Sequence, residues 1–297
     1  MSIKKTYLLL FILLSQMAYS QDGIPVYSDY FSDNLYLLHP SMAGAASYNQ
    51  IRLTARNQWV DQNEAPNLQT LAFNARVGER SGIGGIFFND RNGYHSQTGG
   101  YVTYAHHIMF SRNDYVDLNQ LSFGLSFGLI QSRLDETQFD PLDFDPIIAG
   151  IIQSTSYFNV DAGVSYNFLN FSGHFTVKNL IFQNRSIYSS DYESTNQRKY
   201  IISGAYAIGD FGATWIYEPS FMFQIQERTG EQSIDINGKV YRAMEFGQLW
   251  GGISYRNSFD GAEYLNGVDV ANQKLQYLTP VIGINVNKFV FAYTYTQ

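Results

Sequence analysis

The sequence predicts an all-β chain, an antiparallel transmembrane β-barrel of the outer-membrane type, on three observations. From Gln50 onward it divides into short segments in which apolar and polar residues alternate, and a secretion signal stands in front of them. Aromatic residues make up 16% of the chain against only 15% charged residues. Successive side chains of a strand point to opposite faces, so strict alternation makes one greasy and one wet face. Outer-membrane barrels need such a pattern over the whole chain. A soluble β-sandwich shares the richness in Tyr but usually carries more surface charge.

Lys4 and Lys5 precede an apolar run from Leu8 to Leu14, and Ala18-Tyr19-Ser20 offers a small-residue exit. Residues 1–20 therefore read as a cleaved secretory signal rather than a buried N-terminal helix. Residues 21–48 are a lead segment with Tyr27, Tyr30, Asn34 and Pro40. It either folds into the lumen as a plug or lies along the periplasmic rim. Residues 49–297 are the barrel.

Strands are expected near 50–60, 68–76, 82–90, 98–108, 119–131, 156–167, 171–178, 198–207, 212–227, 232–241, 245–256, 275–286 and 288–296. Leu121, Phe123, Leu125, Phe127 and Leu129 oppose Ser122, Gly124, Ser126 and Gly128. Phe158, Val160, Ala162, Val164 and Tyr166 oppose Asn159, Asp161, Gly163 and Ser165, and Phe171, Phe175 and Val177 oppose Ser172, His174, Thr176 and Lys178. Ile234, Ile236, Gly238 and Val240 oppose Ser233, Asp235, Asn237 and Lys239. Segment 82–90 alternates poorly, which leaves its face unassigned.

Connections after odd-numbered strands cover 61–67, 91–97, 132–155, 179–197, 228–231 and 257–274, and the intervening ones are mostly shorter. An up-and-down barrel places all odd connections at one rim, and outer-membrane barrels keep their long loops outside. The long loops are then extracellular and the mature N-terminus periplasmic, in the cell outer membrane. Thirteen strands cannot close antiparallel, because closure needs an even number. Gln297 is also not the aromatic residue expected at the end of a terminal strand. Either two strands are merged or one is missed in this count, or the sequence stops short of the last one; the expectation is fourteen strands in the complete protein, with about thirteen visible here.

The remaining composition excludes several classes. Cysteine is absent, so closure rests on hydrogen bonds and packing rather than disulfides. After the signal no apolar run reaches the length of a transmembrane helix. The formal charge is −7, more negative still without the signal lysines, which argues against nucleic acid. The histidines, at 39, 95, 106, 107 and 174, form no HExxH pair, and His106 and His107 must face opposite sides of one strand. Gly82-Ile83-Gly84-Gly85 lacks the Lys and hydroxyl of a P-loop, and no Gly-x-Ser-x-Gly elbow occurs. No catalytic residue, cofactor site or metal site is assigned.

Arg52, Thr54, Arg56 and Gln58 share one side of the first strand, opposite Ile51, Leu53 and Ala55. A charge facing lipid at mid-depth costs about 2–4 kcal/mol, so Arg52, Arg56 and Gln58 are expected to face the lumen. There the arginines either pair with carboxylates such as Asp161 or Asp235, or hold a bound peptide. Loop 132–155 carries Asp135, Glu136, Asp140, Asp143 and Asp145 but no EF-hand pattern, and reads as a solvated loop rather than a calcium site. Its tail, Ile147-Ile148-Ala149-Gly150-Ile151-Ile152, is unusually apolar for a solvent-facing connection.

An ordered set of short motifs points to a family. His39-Pro40-Ser41-Met42-Ala43-Gly44, Arg56-Asn57-Gln58-Trp59-Val60, Ala65-Pro66 and Gln69-Thr70 come first. Gly82 to Asp90, Gly93, Gly99 and Tyr104-Ala105-His106-His107 follow, then Leu121-Ser122-Phe123-Gly124 and Arg198-Lys199-Tyr200. This succession resembles the "NPAYAG", "RNQW" and "GLGG…ND…G…YAYH" elements of the PorP/SprF family. The resemblance implies a fourteen-stranded outer-membrane barrel of the type IX secretion and gliding-motility system, with a last strand beyond the segment matching Phe289 to Tyr295. It implies a non-enzymatic partner and surface anchor for secreted adhesins, engaged through the adhesin's C-terminal domain. Contacts with periplasmic components of the machine and with outer-membrane lipid are implied as well. Ile147, Ile148, Ile151 and Ile152 then either cover the barrel mouth or form the adhesin-facing surface. The competing reading is a passive channel or hydrophobic-solute transporter.

Overall fold

The computed structural model describes residues 34–46, 48–59, 64–111, 118–139, 149–181, 187, 198–209, 212–228, 230–259, 262–266, 269–273 and 276–296. The chain enters through a short helix, α1 (Leu35–Leu38), and a 3-10 turn at Pro40–Met42. It continues as β1 (Gln50–Asn57), β2 (Asn67–Arg76), β3 (Ser81–Asn92), β4 (His95–Met109) and β5 (Asn119–Asp135). A second 3-10 turn at Glu136–Gln138 leads to β6 (Ile152–Phe168), β7 (Phe171–Lys178), β8 (Lys199–Tyr206), β9 (Trp215–Gln226), β10 (Gln232–Met244) and β11 (Gly247–Ser258). The last elements are β12 (Ala262–Asn266), β13 (Asp269–Gln273), β14 (Gln276–Val286) and β15 (Phe289–Thr294).

Among the described residues, thirteen strands form one antiparallel meander in chain order, β1 to β11 followed by β14 and β15. Each step reverses direction, so β1 and β15 run the same way. They are the two edges of the sheet and do not pair with each other. The expected strands all fall within this sheet. Segment 257–274, read from sequence as a connection between strands, contains the separate hairpin β12–β13, with Tyr264 opposite Ala271. A hairpin pairs only with itself, so it adds nothing to the hydrophobic periodicity of the main sheet.

The two faces of the sheet are inverted relative to a water-soluble protein. The outward face exposes Ile51, Leu53, Phe87, Val102, Phe127, Leu129, Phe158 and Ile282. The inward face buries Thr70, Asn74, Thr103, His107, Ser122, Ser126, Asp161, His174, Thr176, Lys178, Asp235 and Lys239. Soluble proteins rarely expose apolar patches beyond a few hundred Å², whereas lipid takes such a belt and excludes unpaired backbone groups. No helix among the described residues is long and apolar enough to cross a membrane; strands do that work in a barrel.

Strand β3 does alternate in three dimensions. Gly82, Ile86, Phe88 and Asp90 are buried while Ile83 and Phe87 are exposed. The pattern was obscured because both faces are apolar here. Ile86 and Phe88 pack inward with Tyr101, Ile130 and Tyr157 against Tyr36, Leu37 and Ala43 of the entering segment. Connections 136–151, 179–198 and 259–275 share one rim by the parity of the meander.

Candidate functional site

Asn34 to Gly44 forms a small plug on the inner face of the sheet. Pro40 at the first position of its 3-10 turn presets the backbone bend, and Gly44 leaves the turn at φ +64°, a conformation that favours glycine. The wall is thinned to receive it. A Cβ on Gly82 would overlap the Ala43 carbonyl, one on Gly84 the Tyr36 hydroxyl, and one on Gly124 the Pro40–Ser41 peptide. On Gly163 it would stand 3.3 Å from Pro40 Cδ and 2.7 Å from Thr176 Oγ1.

Polar groups from five strands then grip the plug. Tyr36 donates to Thr103 Oγ1 on β4 at 2.8 Å, and Lys178 Nζ on β7 donates to the Leu37 carbonyl at 3.1 Å. His39 places Nδ1 2.9 Å from Thr176 Oγ1 on β7 and Nε2 2.9 Å from Ser203 Oγ on β8. Ser41 and Ser165 on β6 share a hydrogen bond of 2.6 Å. Gly44 N–H donates to Asn74 Oδ1 on β2 at 3.2 Å, while Arg76 donates to the carbonyls of Gly44 and Ala45.

His107 on β4 has a defined tautomer. Its Nε2 lies 3.0 Å from the Ala43 carbonyl, which can only accept, so Nε2 carries the proton. Nδ1 is then the acceptor for Ser122 Oγ at 2.8 Å, and Gln120 donates to that same hydroxyl at 2.9 Å. His39 is fully buried, and burial holds its imidazole well below the ordinary histidine range, with His174 and Lys178 adding to the effect. Burial likewise pushes the Tyr36 hydroxyl up to about 12 against the opposing effect of its hydrogen bond to Thr103. The plug is thus docked by neutral side-chain hydrogen bonds together with the cationic donors Lys178 and Arg76, in a water-poor setting.

Farther round the wall, charged pairs line the lumen. Arg256 on β11 binds Asp235 on β10 with two bonds of 2.6 and 2.8 Å. Lys239 on β10 approaches Glu218 on β9 at 3.8 Å, donates to Tyr241 at 2.8 Å and lies over the Trp250 ring. Asp161 on β6 pairs with Lys178 at 3.9 Å and accepts the Asn179 N–H at 2.9 Å. Asp235 and Asp161 thus take Arg256 and Lys178 as partners, where pairing with Arg52 or Arg56 was one of the two expectations. Cross-strand register puts Arg256 directly opposite Asp235, and the nearer cation wins. Arg52 lines an inner cavity, while Arg56 and Gln58 are half-buried in the same phase of the chain. Among the described residues no three His, Asp or Glu side chains gather as a metal would require.

The motifs that looked scattered along the chain meet at this plug. His39 to Gly44 meets Gly82, His107 and Gly124, all drawn from the later motifs. A family model described as "Type IX secretion system membrane protein PorP/SprF" matches residues 19–297. The chain belongs to the PorP/SprF family.

PorP/SprF membership makes the protein a membrane component of the type IX secretion system, a secretion family rather than an enzyme family. The inverted faces of the sheet fit the outer membrane. A search of curated proteins found no match. In this PorP/SprF chain the loop after β5 is anchored by Glu136, which is 2% exposed. Its carboxylate accepts the N–H groups of Ala149 and Gly150 at 2.9 and 3.0 Å and the Gln153 amide at 2.7 Å. Ile151 and Ile152 beside it are exposed; Ile147 and Ile148 lie outside the described residues. Sequence reasoning missed Glu136 as an anchor, and it missed His39, His107 and His174 as plug contacts. The available signal was phase: His107, His174, Gly124 and Gly163 sit on the polar side of their strands, whereas Gly82 and Gly84 share the apolar inner phase of β3 with Ile86 and Phe88 and carried no such signal.

Proposed function

We propose that this PorP/SprF barrel binds and anchors an exported cell-surface adhesin through the adhesin's C-terminal domain and contacts periplasmic parts of the secretion and gliding machine. The observation that carries this reading is the occupied lumen. Plug residues Tyr36 to Gly44 are bonded to β2, β4, β6, β7 and β8, and charged pairs line β9 to β11. A passive channel for solutes needs an open path, and filling one half of the wall with docked chain works against it.

Two further features support the reading. The long connections gather at one rim, which we assign to the cell exterior. That rim carries the exposed Ile151 and Ile152 on a loop pinned by Glu136, an apolar surface suited to a protein partner. The opposite rim, with its short turns, then faces the periplasmic machine. Co-purification of the tagged barrel from outer membranes, followed by mass spectrometry, tests the proposal. Recovery of an adhesin and of type IX components is expected, and recovery of lipid and porins alone would reject it. Single-channel recording separates the rival: the anchor is silent, and a steady conductance establishes the channel.

A further inference from the structure

The plug covers one side of the inner wall, and a cavity of about 270 Å³ lies between it and β7 to β10, with Gln50 and Arg52 of β1 also lining it. Three properties of this space point to a ligand. The first is charge. Asp235 is matched by Arg256 and Glu218 by Lys239, whereas Arg52, among the described residues, has neither an ion pair nor a hydrogen bond. The wall therefore carries one surplus positive charge on a group shaped for bidentate binding of a carboxylate.

The second property is unmet hydrogen bonding. Asn34 on the plug and His174 on β7 both line the cavity, both are at least nine-tenths buried, and Asn34 Nδ2 and His174 Nε2 have no partner. Buried polar atoms are nearly always satisfied, so two orphans on opposite sides of one cavity are informative. The third is an apolar floor of Leu35, Leu38 and Met222. The volume falls just below the range of about 300–1,000 Å³ typical of small-ligand pockets, which suits one or two amino-acid residues. Glu218 and Asp235 disfavour a multiply charged anion such as phosphate, and a monoanion balances the single surplus charge.

We propose that this lumenal cavity binds a small carboxylate of the amino-acid type, its carboxylate on Arg52 and its aliphatic side chain on Leu35, Leu38 and Met222. Asn34 donates to the ligand's carbonyl oxygen and His174 Nε2 pairs with its polar backbone. The same chemistry is offered by a free amino acid and by the C-terminal residue of a peptide. The site is separate from the rim-loop surface, and its test differs: calorimetry on the isolated chain reads the cavity, whereas co-purification reads the anchoring.

Titration calorimetry on the full chain in detergent, with N-acetyl-leucine, N-acetyl-leucinamide and leucine as probes, tests it. N-acetyl-leucine is expected to bind and the amide to bind about tenfold more weakly or worse, the equivalent of roughly 1.4 kcal/mol. Equal or better binding of leucine identifies a free amino acid, and its rejection identifies a peptide end. Arg52→Gln removes the discrimination between acid and amide, and Ala205→Phe fills the cavity and removes binding of both. Heat-modifiable migration on gels confirms that each variant is folded. Equal binding of acid and amide to the wild type, no binding of the acid at tens of millimolar (far weaker than the ~1 mM scale of small-ligand sites), or unchanged binding by the folded Ala205→Phe variant overturns the proposal.

Discussion

His39 of the plug stacks on His174 of β7, their ring centroids 4.9 Å apart and their planes inclined by 25°. Both rings are buried, and Lys178 adds a positive charge from the same strand. A proton on His39 would therefore meet desolvation and two unfavourable neighbours. Ser165 joins the arrangement by bonding both His174 at 2.8 Å and Ser41 of the plug at 2.6 Å.

This geometry predicts acid sensitivity. His39 ionises near 6.5 when unfolded and well below that when docked, so the unfolded or undocked chain binds more protons. Stability contributed by His39 is complete above pH 6.5 and is lost as pH falls below it, at up to about 1.4 kcal/mol per pH unit. Limited proteolysis of the plug at pH 7.5 and pH 5 should show faster cleavage in acid. His39→Gln should flatten that dependence while weakening docking at both values; an unchanged pH slope in the variant would count against His39 as the sensor.

The glycine sockets predict steric ejection. Gly124→Ala and Gly82→Ala place a methyl group into Pro40–Ser41 and the Ala43 carbonyl respectively, a form of overpacking that costs about 1–3 kcal/mol. Gly85→Ala is the control, since its nearest neighbour would be 3.8 Å away. Melting temperatures in detergent should fall for the first two and hold for the third.

The Arg256–Asp235 pair predicts non-additivity. Asp235 has a side-chain exposure of 3% and Arg256 one of 17%, so removing either partner strands a largely buried charge at a cost of about 3–5 kcal/mol. Asp235→Leu with Arg256→Met should recover much of that loss in urea unfolding. Additive losses would mean that water reaches the pair.

Glu136 predicts local loosening of a loop. Glu136→Ala removes the acceptor for Ala149, Gly150 and Gln153, leaving donors unmet at about 1–3 kcal/mol. Hydrogen exchange at Ala149 and Gly150 should accelerate with little change in the β4–β5 amides. Acceleration spread evenly over the sheet would contradict a local role.

The anchoring proposal predicts a loop phenotype. Replacing Ile147, Ile148, Ile151 and Ile152 with Ser should release the adhesin from the cell surface while the barrel still inserts. Surface retention measured by whole-cell immunoblot, if unchanged, would remove this loop from the binding surface.

Residue order alone determined a great deal here. Alternation such as Leu121 to Leu129 against Ser122 to Gly128 is a property of the backbone pleat, so it marks each strand and its lipid face without knowledge of any neighbour. The inward phase of Ser165, Thr176 and Asp235 followed in the same way. The PorP/SprF family was legible from the motifs, because they recur in order along the chain.

What only the tertiary structure decided is which inward residues meet. His39 and Ser203 are separated by 164 positions, His39 and Thr176 by 137, and Lys178 and Leu37 by 141. Local pattern carries no information across such distances. Arg52 and Asp235 had suitable charges, yet register across β10 and β11 gave Asp235 to Arg256. The weak alternation of β3 had the same origin, since an apolar plug lies against its inner face and no property of β3 itself announces that. Strand identity is a local consequence of side-chain spacing; the plug, its glycine sockets and the cavity beside it arise only when the sheet curls and brings distant inner faces together.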